Sequence, residues 1–295
     1  MMEINEKNRY LGKTLKEMGR VMVAFSGGVD SAVVLKRAQQ ELGGNVLAVV
    51  VASELFRESE FQAAVQLAEN LGVKVHQTEI KELNQPQIAA NNPDSWYYSK
   101  KLLYTHLNQL AEELDYPYVL DGMIMDDEAD FRPGLKARTE EGIRSVLQEA
   151  NLYKPEVREL AKELELSVWN KLASCSLASR FPYGTKLDKQ KVNQVNQAEL
   201  YLKRAGFDEV RVRYHDNVAR IEVAADKMME LLEKRTEVQH KLVSLGFDYV
   251  SIDLRGYRTG SMNEYCQKLL QNSKSLPMLK TQLHSVGVVS FLPLN

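Results

Sequence analysis

The sequence predicts an open parallel α/β sheet followed by a smaller α+β domain. Three observations carry this: apolar runs alternate with helical patterns through the first half, a glycine-rich turn directly follows the first run, and the order of elements changes near Leu187. Val21–Phe25 (VMVAF) is the first strand, and a helical pattern runs through Val33, Val34, Lys36, Ala38 and Leu42. Gly43 and Gly44 end that helix, because glycine accepts the left-handed conformation at a helix C-terminus. Val46–Ala52 (VLAVVVA) is continuously apolar, as a parallel strand buried on both faces should be. Glu58–Leu71 reads as an amphipathic helix closed by Gly72, Val73–Glu79 as a third strand, Ser99–Leu114 as a helix and Tyr116–Asp121 as a fourth strand. Gly122–Gly134 reads as an acidic loop, followed by helices over Arg138–Glu149 and Glu156–Glu165. Beyond it, helix Lys189–Ala205 precedes strands Asp208–Tyr214 and Val218–Val223, a hairpin turned at His215–Asn217. The strict alternation of Asp208–Tyr214 marks a half-exposed strand. Helix Ala225–Leu245 and strand Tyr249–Leu254 complete an α-β-β-α-β order.

A chain of 295 residues exceeds most single cores, so about two domains are expected. We place them at residues 1–186 and 187–264, with 265–295 a tail to which no role is assigned. A net charge of −2 offers no general field for nucleic acid, so any anion site must be local. No apolar run reaches the roughly 20 residues of a membrane helix, and MMEINEKNRYLGK lacks the apolar core of a signal peptide. The two cysteines, Cys175 and Cys266, form no CxxC and no disulfide framework. These features place the chain in the cytoplasm with reduced thiols, away from membranes. The five histidines are scattered without metal-ligand spacing, and no zinc or nickel site is readable from them.

The most informative motif is F-S-G-G-V-D-S, which sets Ser26, Gly27, Gly28, Asp30 and Ser31 between a buried strand and a helix. A plain turn accounts for one glycine and a capping serine. Paired glycines also let the backbone approach a ligand closely, and the helix N-terminus presents unpaired N–H groups to a phosphate. Asp30 would repel that phosphate unless a cation lay between them, which points to Mg²⁺. The motif is neither a Walker loop nor a dinucleotide fingerprint. It resembles the PP-loop of the ATP pyrophosphatases, which split ATP to AMP and pyrophosphate. That resemblance implies a HUP-type sheet with Mg-ATP over the loop. It also implies adenosine contacts from Ala24 and from the strand end at Val51–Ser53, with Gly122 near the adenine or ribose.

Further stretches carry a narrower resemblance: SELFRESEF at 53–61, NNPDSWYYSKK at 91–101, DGMIMDDEADFRPGLKAR at 121–138 and NKLASCSLASRFPYGT at 170–185. The segments RVRYHDNVARIEV at 211–223 and DLRGYRTGSMNE at 253–264 extend it over roughly residues 10–264. Together they resemble the LarE family of ATP-dependent sacrificial sulfur transferases, which serve the nickel-pincer cofactor of lactate racemase. The resemblance implies adenylation of a pyridinium dicarboxylate mononucleotide and attack by a cysteine thiolate, here Cys175. Cleavage of the Cβ–S bond then leaves a thiocarboxylate product and dehydroalanine. It further implies a homohexamer of two trimers. Some relatives hold a cluster on extra cysteines, but Cys175 has no such companions nearby, so no iron–sulfur cluster is expected.

Each candidate has a plainer alternative. Cys175 alone would read as a buried structural thiol; Ser174, Ser176, Ser179 and Arg180 around it favour a reactive one, with Arg180 lowering the thiol pKa or holding a substrate phosphate. Cys266, in an amphipathic stretch, keeps the plain reading. Arg211 and Arg213 lie two apart on one strand face, as a phosphate clamp or as a solvated edge. Glu199 and Glu222 are candidate acid–base or cation partners, or ordinary charges. Trp96 stacks on the pyridinium ring or fills a core. Asp126, Asp127, Glu128 and Asp130, with Arg132 behind them, order over ATP or form a solvated loop. Two rival functions remain: an amide ligase using ammonia, in which Cys175 is structural, and a nucleotide sensor without chemistry. The cation-binding Asp30 counts against the sensor.

Overall fold

In a computed structural model the described residues are 3–128, 134–172 and 174–258. In chain order the elements are α1 (Ile4–Met18), β1 (Val21–Ala24), α2 (Val29–Leu42), β2 (Val46–Ala52), α3 (Glu58–Asn70), β3 (Lys74–Glu79), α4 (Pro86–Ala89), α5 (Ser95–Glu113) and β4 (Val119–Leu120). There follow α6 (Gly134–Glu140), α7 (Val146–Glu149), α8 (Lys154–Glu163), α9 (Lys189–Arg204), β5 (Val210–His215), β6 (Val218–Val223), α10 (Met228–Glu233), α11 (Arg235–Ser244) and β7 (Tyr249–Ile252). The described residues divide into two compact units. One runs to Glu82 and resumes over Trp96–Cys175; the other joins Leu83–Ser95 to the chain from Ser176 onward. The sequence placed its boundary after residue 186.

The first unit is built on a parallel sheet in the order β3-β2-β1-β4. Its strands are apolar throughout because both faces are covered. Val21, Val23, Val46, Ala48 and Val50 enter the core formed with α1, α2, α3 and α8, while Met22, Leu47 and Val49 pack with Tyr104 and Leu107 of α5. After β3 the chain returns to pair β4 on the far side of β1. The switch point of the sheet therefore lies between β1 and β4, where open α/β sheets bind ligands beyond the strand ends.

The second unit carries the mixed sheet β5-β6-β7, antiparallel between β5 and β6 and parallel between β6 and β7. The hairpin turns on Asp216 and Asn217, with Asp216 at a φ of 53°.

Several sequence expectations are corrected. The helix expected over Arg138–Glu149 is two, because Gly142 takes a φ of 66° and stops α6. The helix expected over Ala225–Leu245 is a 3-10 turn followed by α10 and α11, broken at Lys234. The fourth strand shrinks to Val119–Leu120, and part of the acidic loop is a 3-10 turn, Met125–Glu128. Strand β5 is mostly buried rather than half-exposed, since Arg213 as well as Val210, Val212 and Tyr214 is enclosed. Helix α1 has no counterpart among the sequence expectations. The tail with Cys266 lies outside the described residues, as do Asp130 and Arg132.

Candidate active site

The glycine loop is shaped by contacts that leave its N–H groups outward. Phe25 N–H bonds to Val49 O at 2.9 Å, which continues the β1–β2 ladder to the edge of the turn. Gly27 then takes a φ of 70°, and a Cβ there would stand 2.8 Å from the Ala64 Cβ of α3. Ser31 Oγ donates to Gly28 O at 3.2 Å and lies 3.1 Å from Ser26 Oγ, so the two hydroxyls close the loop. Helix α2 starts at Val29 with no side-chain cap, leaving first-turn N–H groups for an anion. From the other side of the switch point, Gly122 lies so close that a Cβ would meet Ser31 N at 2.7 Å. Asp121 beside it is buried and takes hydrogen bonds from Tyr104 Oη (2.8 Å), Ser145 Oγ (2.6 Å) and Met123 N–H (3.1 Å). This network fixes the backbone that brings Gly122 to the loop, and burial next to Asp121 raises the Tyr104 hydroxyl well above its ordinary pKa.

Two lysines that the sequence did not single out reach the loop. Lys154 Nζ lies 2.8 and 2.7 Å from the two carboxylate oxygens of Asp30. Lys171 Nζ donates to Gly27 O at 3.2 Å and pairs with Glu60 at 2.9 Å.

Ala24 is half-buried at the end of β1. At the end of β2, the Ser53 hydroxyl donates to the Glu82 carboxylate, which also accepts from Ser99. Glu82 is 1% exposed, and burial raises its pKa; the serine hydrogen bonds and Lys100 oppose this, while the nearby charge of Glu54 adds to it. Trp96 is half-buried near the start of α5. Within the acidic segment, Asp126 accepts from Lys154 N–H at 2.8 Å and Asp127 from Ile124 N–H at 2.9 Å, so both brace the local backbone.

Cys175 ends the first unit as an exposed free thiol beside exposed Ser174. In the second unit, Ser176 Oγ accepts from Ala178 N–H and begins a 3-10 turn over Leu177–Arg180. Here the expectation for Arg180 changes. It is 1% exposed, and Nε and Nη2 donate to Glu199 at 2.9 and 3.2 Å, while Nη1 bonds Ser179 Oγ at 2.6 Å. Its charge is neutralised inside the fold. Glu199, fully buried, also accepts from Val212 N–H at 2.9 Å. Arg213 donates to Ser179 O and to Glu222 (2.8 and 2.7 Å), and Arg220 reaches Glu222 from the paired strand at 3.1 Å. Arg211 keeps more exposure and lies over the Tyr257 ring, 5.0 Å from its centroid. Among the described residues no cluster of three His, Cys, Asp or Glu is arranged for a metal, and no helix is long and apolar enough to cross a membrane.

A glycine loop at the switch point of a parallel sheet, with a carboxylate in the first helical turn, defines a PP-loop enzyme of the HUP type. Residues 3–97 match the NAD synthase family. The chain is 51% identical to the pyridinium-3,5-bisthiocarboxylic acid mononucleotide synthase of Lactiplantibacillus plantarum, across 91% of this chain and 98% of that one. It is 36% identical to an uncharacterized protein of Synechocystis sp., across 90% and 100% of the two chains. A more distant likeness, 28% across 52% of this chain and 45% of the other, links it to a glutamine-hydrolysing GMP synthase of Sulfurisphaera tokodaii. The chain belongs to the LarE family, that of the pyridinium-3,5-bisthiocarboxylic acid mononucleotide synthases.

Proposed function

We propose that this chain is an ATP-dependent sacrificial sulfur transferase that converts a carboxylate of a pyridinium dicarboxylate mononucleotide to a thiocarboxylate, for the nickel-pincer cofactor of lactate racemase. The observation that carries this reading is the exposed free thiol of Cys175 in a chain whose first unit holds a PP-loop. The likeness to a named synthase of such a nucleotide supports it.

The donor set fits Mg-ATP. Gly27 has the positive φ that opens the loop, α2 offers uncapped N–H groups, and Asp30 supplies a hard oxygen ligand in the same turn. Ser26, Gly27, Gly28 and Ser31 would hold the phosphates and Asp30 the magnesium. Ala24, Ser53 and Gly122, at the strand ends, would border the nucleoside. When bound, Mg-ATP supplies the adenylyl group that makes a carboxylate oxygen a leaving group. The Cys175 thiolate then forms a C–S bond to the activated carboxyl carbon as AMP departs. Loss of the Cα proton breaks the Cβ–S bond, so sulfur leaves as the thiocarboxylate and position 175 remains as dehydroalanine. Trp96 would stack on the pyridinium ring. Arg211, the more exposed of the two strand arginines, would grip the nucleotide phosphate with Ser179. Arg180, Arg213, Glu199 and Glu222 would hold that turn and strand in place. A homohexamer is the proposed assembly.

The test is the intact mass of the full chain after incubation with Mg-ATP and the pyridinium dicarboxylate nucleotide. A loss of one H₂S located at Cys175 is expected. Unchanged mass with continuing AMP release would instead indicate a turnover ligase. Cys175→Ala should still release pyrophosphate yet transfer no sulfur; transfer by that variant would mean a different donor.

A further inference from the structure

Lys154 and Lys171 are not accounted for by the loop motif. They come from the first residue of α8 and from the turn beyond it, yet both end on the glycine loop, one on Asp30 and one on Gly27 O. Their side chains are 32% and 27% exposed. Pairs this exposed add at most about 1 kcal/mol to stability, so folding alone gives little reason for two lysines to converge there.

Charge balance supplies a reason. Without a cation, Asp30 is a negative group inside a site built to receive negative phosphate. Lys154, with both carboxylate oxygens in reach, compensates it. A divalent cation at Asp30 would need those same oxygens. Lys154 must then leave, and its ammonium, on a flexible four-carbon stem, carries three donors to the nearest anion. Lys171 has a different anchor. Tied to a backbone carbonyl and to Glu60, it keeps a positive charge beside Gly27 whether or not a cation arrives.

We propose that Lys154 and Lys171 are pyrophosphate-binding residues, Lys154 doubling as a placeholder that occupies Asp30 until a divalent cation displaces it onto the phosphates. This rests on the reading that the loop binds ATP, and it adds which side chains neutralise the leaving pyrophosphate.

The experiment is calorimetric titration of the full chain with magnesium pyrophosphate, beside Lys154→Met and Lys171→Met, which keep the stems and remove the charge. Each variant should bind pyrophosphate about tenfold or more weakly, the loss of one charge-assisted contact. Adenosine, which lacks phosphate, should bind all three proteins equally, a result that a damaged fold would not give. Mn²⁺ alone, followed by electron paramagnetic resonance, should bind Lys154→Met more tightly than the parent, because its competitor at Asp30 is gone. Lys154→Gln and Lys171→Gln provide a second pair should the methionine variants fold poorly. Equal pyrophosphate affinity in parent and variants would overturn the assignment, and unchanged Mn²⁺ affinity in Lys154→Met would overturn the placeholder role. If sulfur transfer fails while the pyrophosphate losses appear, the lysine assignment stands and the reaction reading falls.

Discussion

At Gly27 the backbone conformation and the neighbouring atoms both exclude a side chain: φ is 70°, and an added Cβ would lie 2.8 Å from Ala64 Cβ and 3.0 Å from its Cα. Gly27→Ala should therefore cost about 1–3 kcal/mol, read as a lower urea midpoint, and should weaken ATP binding because the loop must shift. An unchanged midpoint and affinity would show that the loop tolerates other conformations. Glu82 makes a prediction with pH. Burial, eased by hydrogen bonds from Ser53 and Ser99, raises its carboxyl above the ordinary 4.5, so the folded chain holds that proton to higher pH than the unfolded one. The resulting stabilisation is complete below 4.5 and is lost as pH rises through the raised value. Glu82→Gln stays neutral and keeps an acceptor for the serines. Its urea midpoint should thus gain on the parent as pH goes from mildly acidic to neutral, whereas a constant difference would place Glu82 as an ordinary carboxylate. Legibility at this scale follows distance along the chain. Gly27, Gly28, Asp30 and Ser31 were readable because one turn holds them all. Lys154 and Lys171 contact that turn from 124 and 144 residues away, and nothing local distinguishes a phosphate-facing lysine from a solvated one.

Among the elements, the strands of the first sheet were readable because burial on both faces leaves continuous apolar runs. Helix α1 was missed since its buried stripe, Leu11, Leu15 and Met18, is thin and embedded in charge. Even Lys7 is enclosed there, donating to Asn151 O and to Glu156 of α8, where sequence alone would place a lysine in solvent. Gly142 was a visible stop signal inside an assumed helix. The break at Lys234 had no such mark, because apolar spacing continues from α10 into α11. Helix α9 shows how a single side chain can secure an element. Glu199 ties it to the turn before it through Arg180 and to β5 through Val212 N–H. Glu199→Ala should destabilise the fold by about 3–5 kcal/mol, because Arg180 is left charged and buried without its partner. Denaturant unfolding would measure this, and the double variant Arg180→Met/Glu199→Met should recover part of the loss. If the single variant unfolds like the parent, Arg180 has found another counterion and the pair is not what anchors α9.

For the whole chain, the change of rhythm near Leu187 announced a second domain, but the path between the units was not readable. Leu83–Ser95 joins the second unit through backbone and amide bonds, with Leu187 N–H on Ala89 O at 2.7 Å, Gly184 N–H on Asn91 O at 2.9 Å and Asn91 Nδ2 on Pro182 O at 3.0 Å. Such pairing between distant loops leaves no periodic trace in a sequence. The thiol of Cys175 has a consequence that belongs to the molecule rather than to the residue. If sulfur comes from a side chain, the amount transferred cannot exceed the number of chains, however much ATP and substrate are supplied. Thiocarboxylate formation should stop at or below one per chain, and fresh protein, not fresh ATP, should restart it. The only other cysteine, Cys266, is excluded by repeating the assay with Cys266→Ser, which should give the same ceiling. Product beyond one per chain without an added sulfur source would rule out the sacrificial mechanism. A ceiling near two that returns to one in Cys266→Ser would make both cysteines donors.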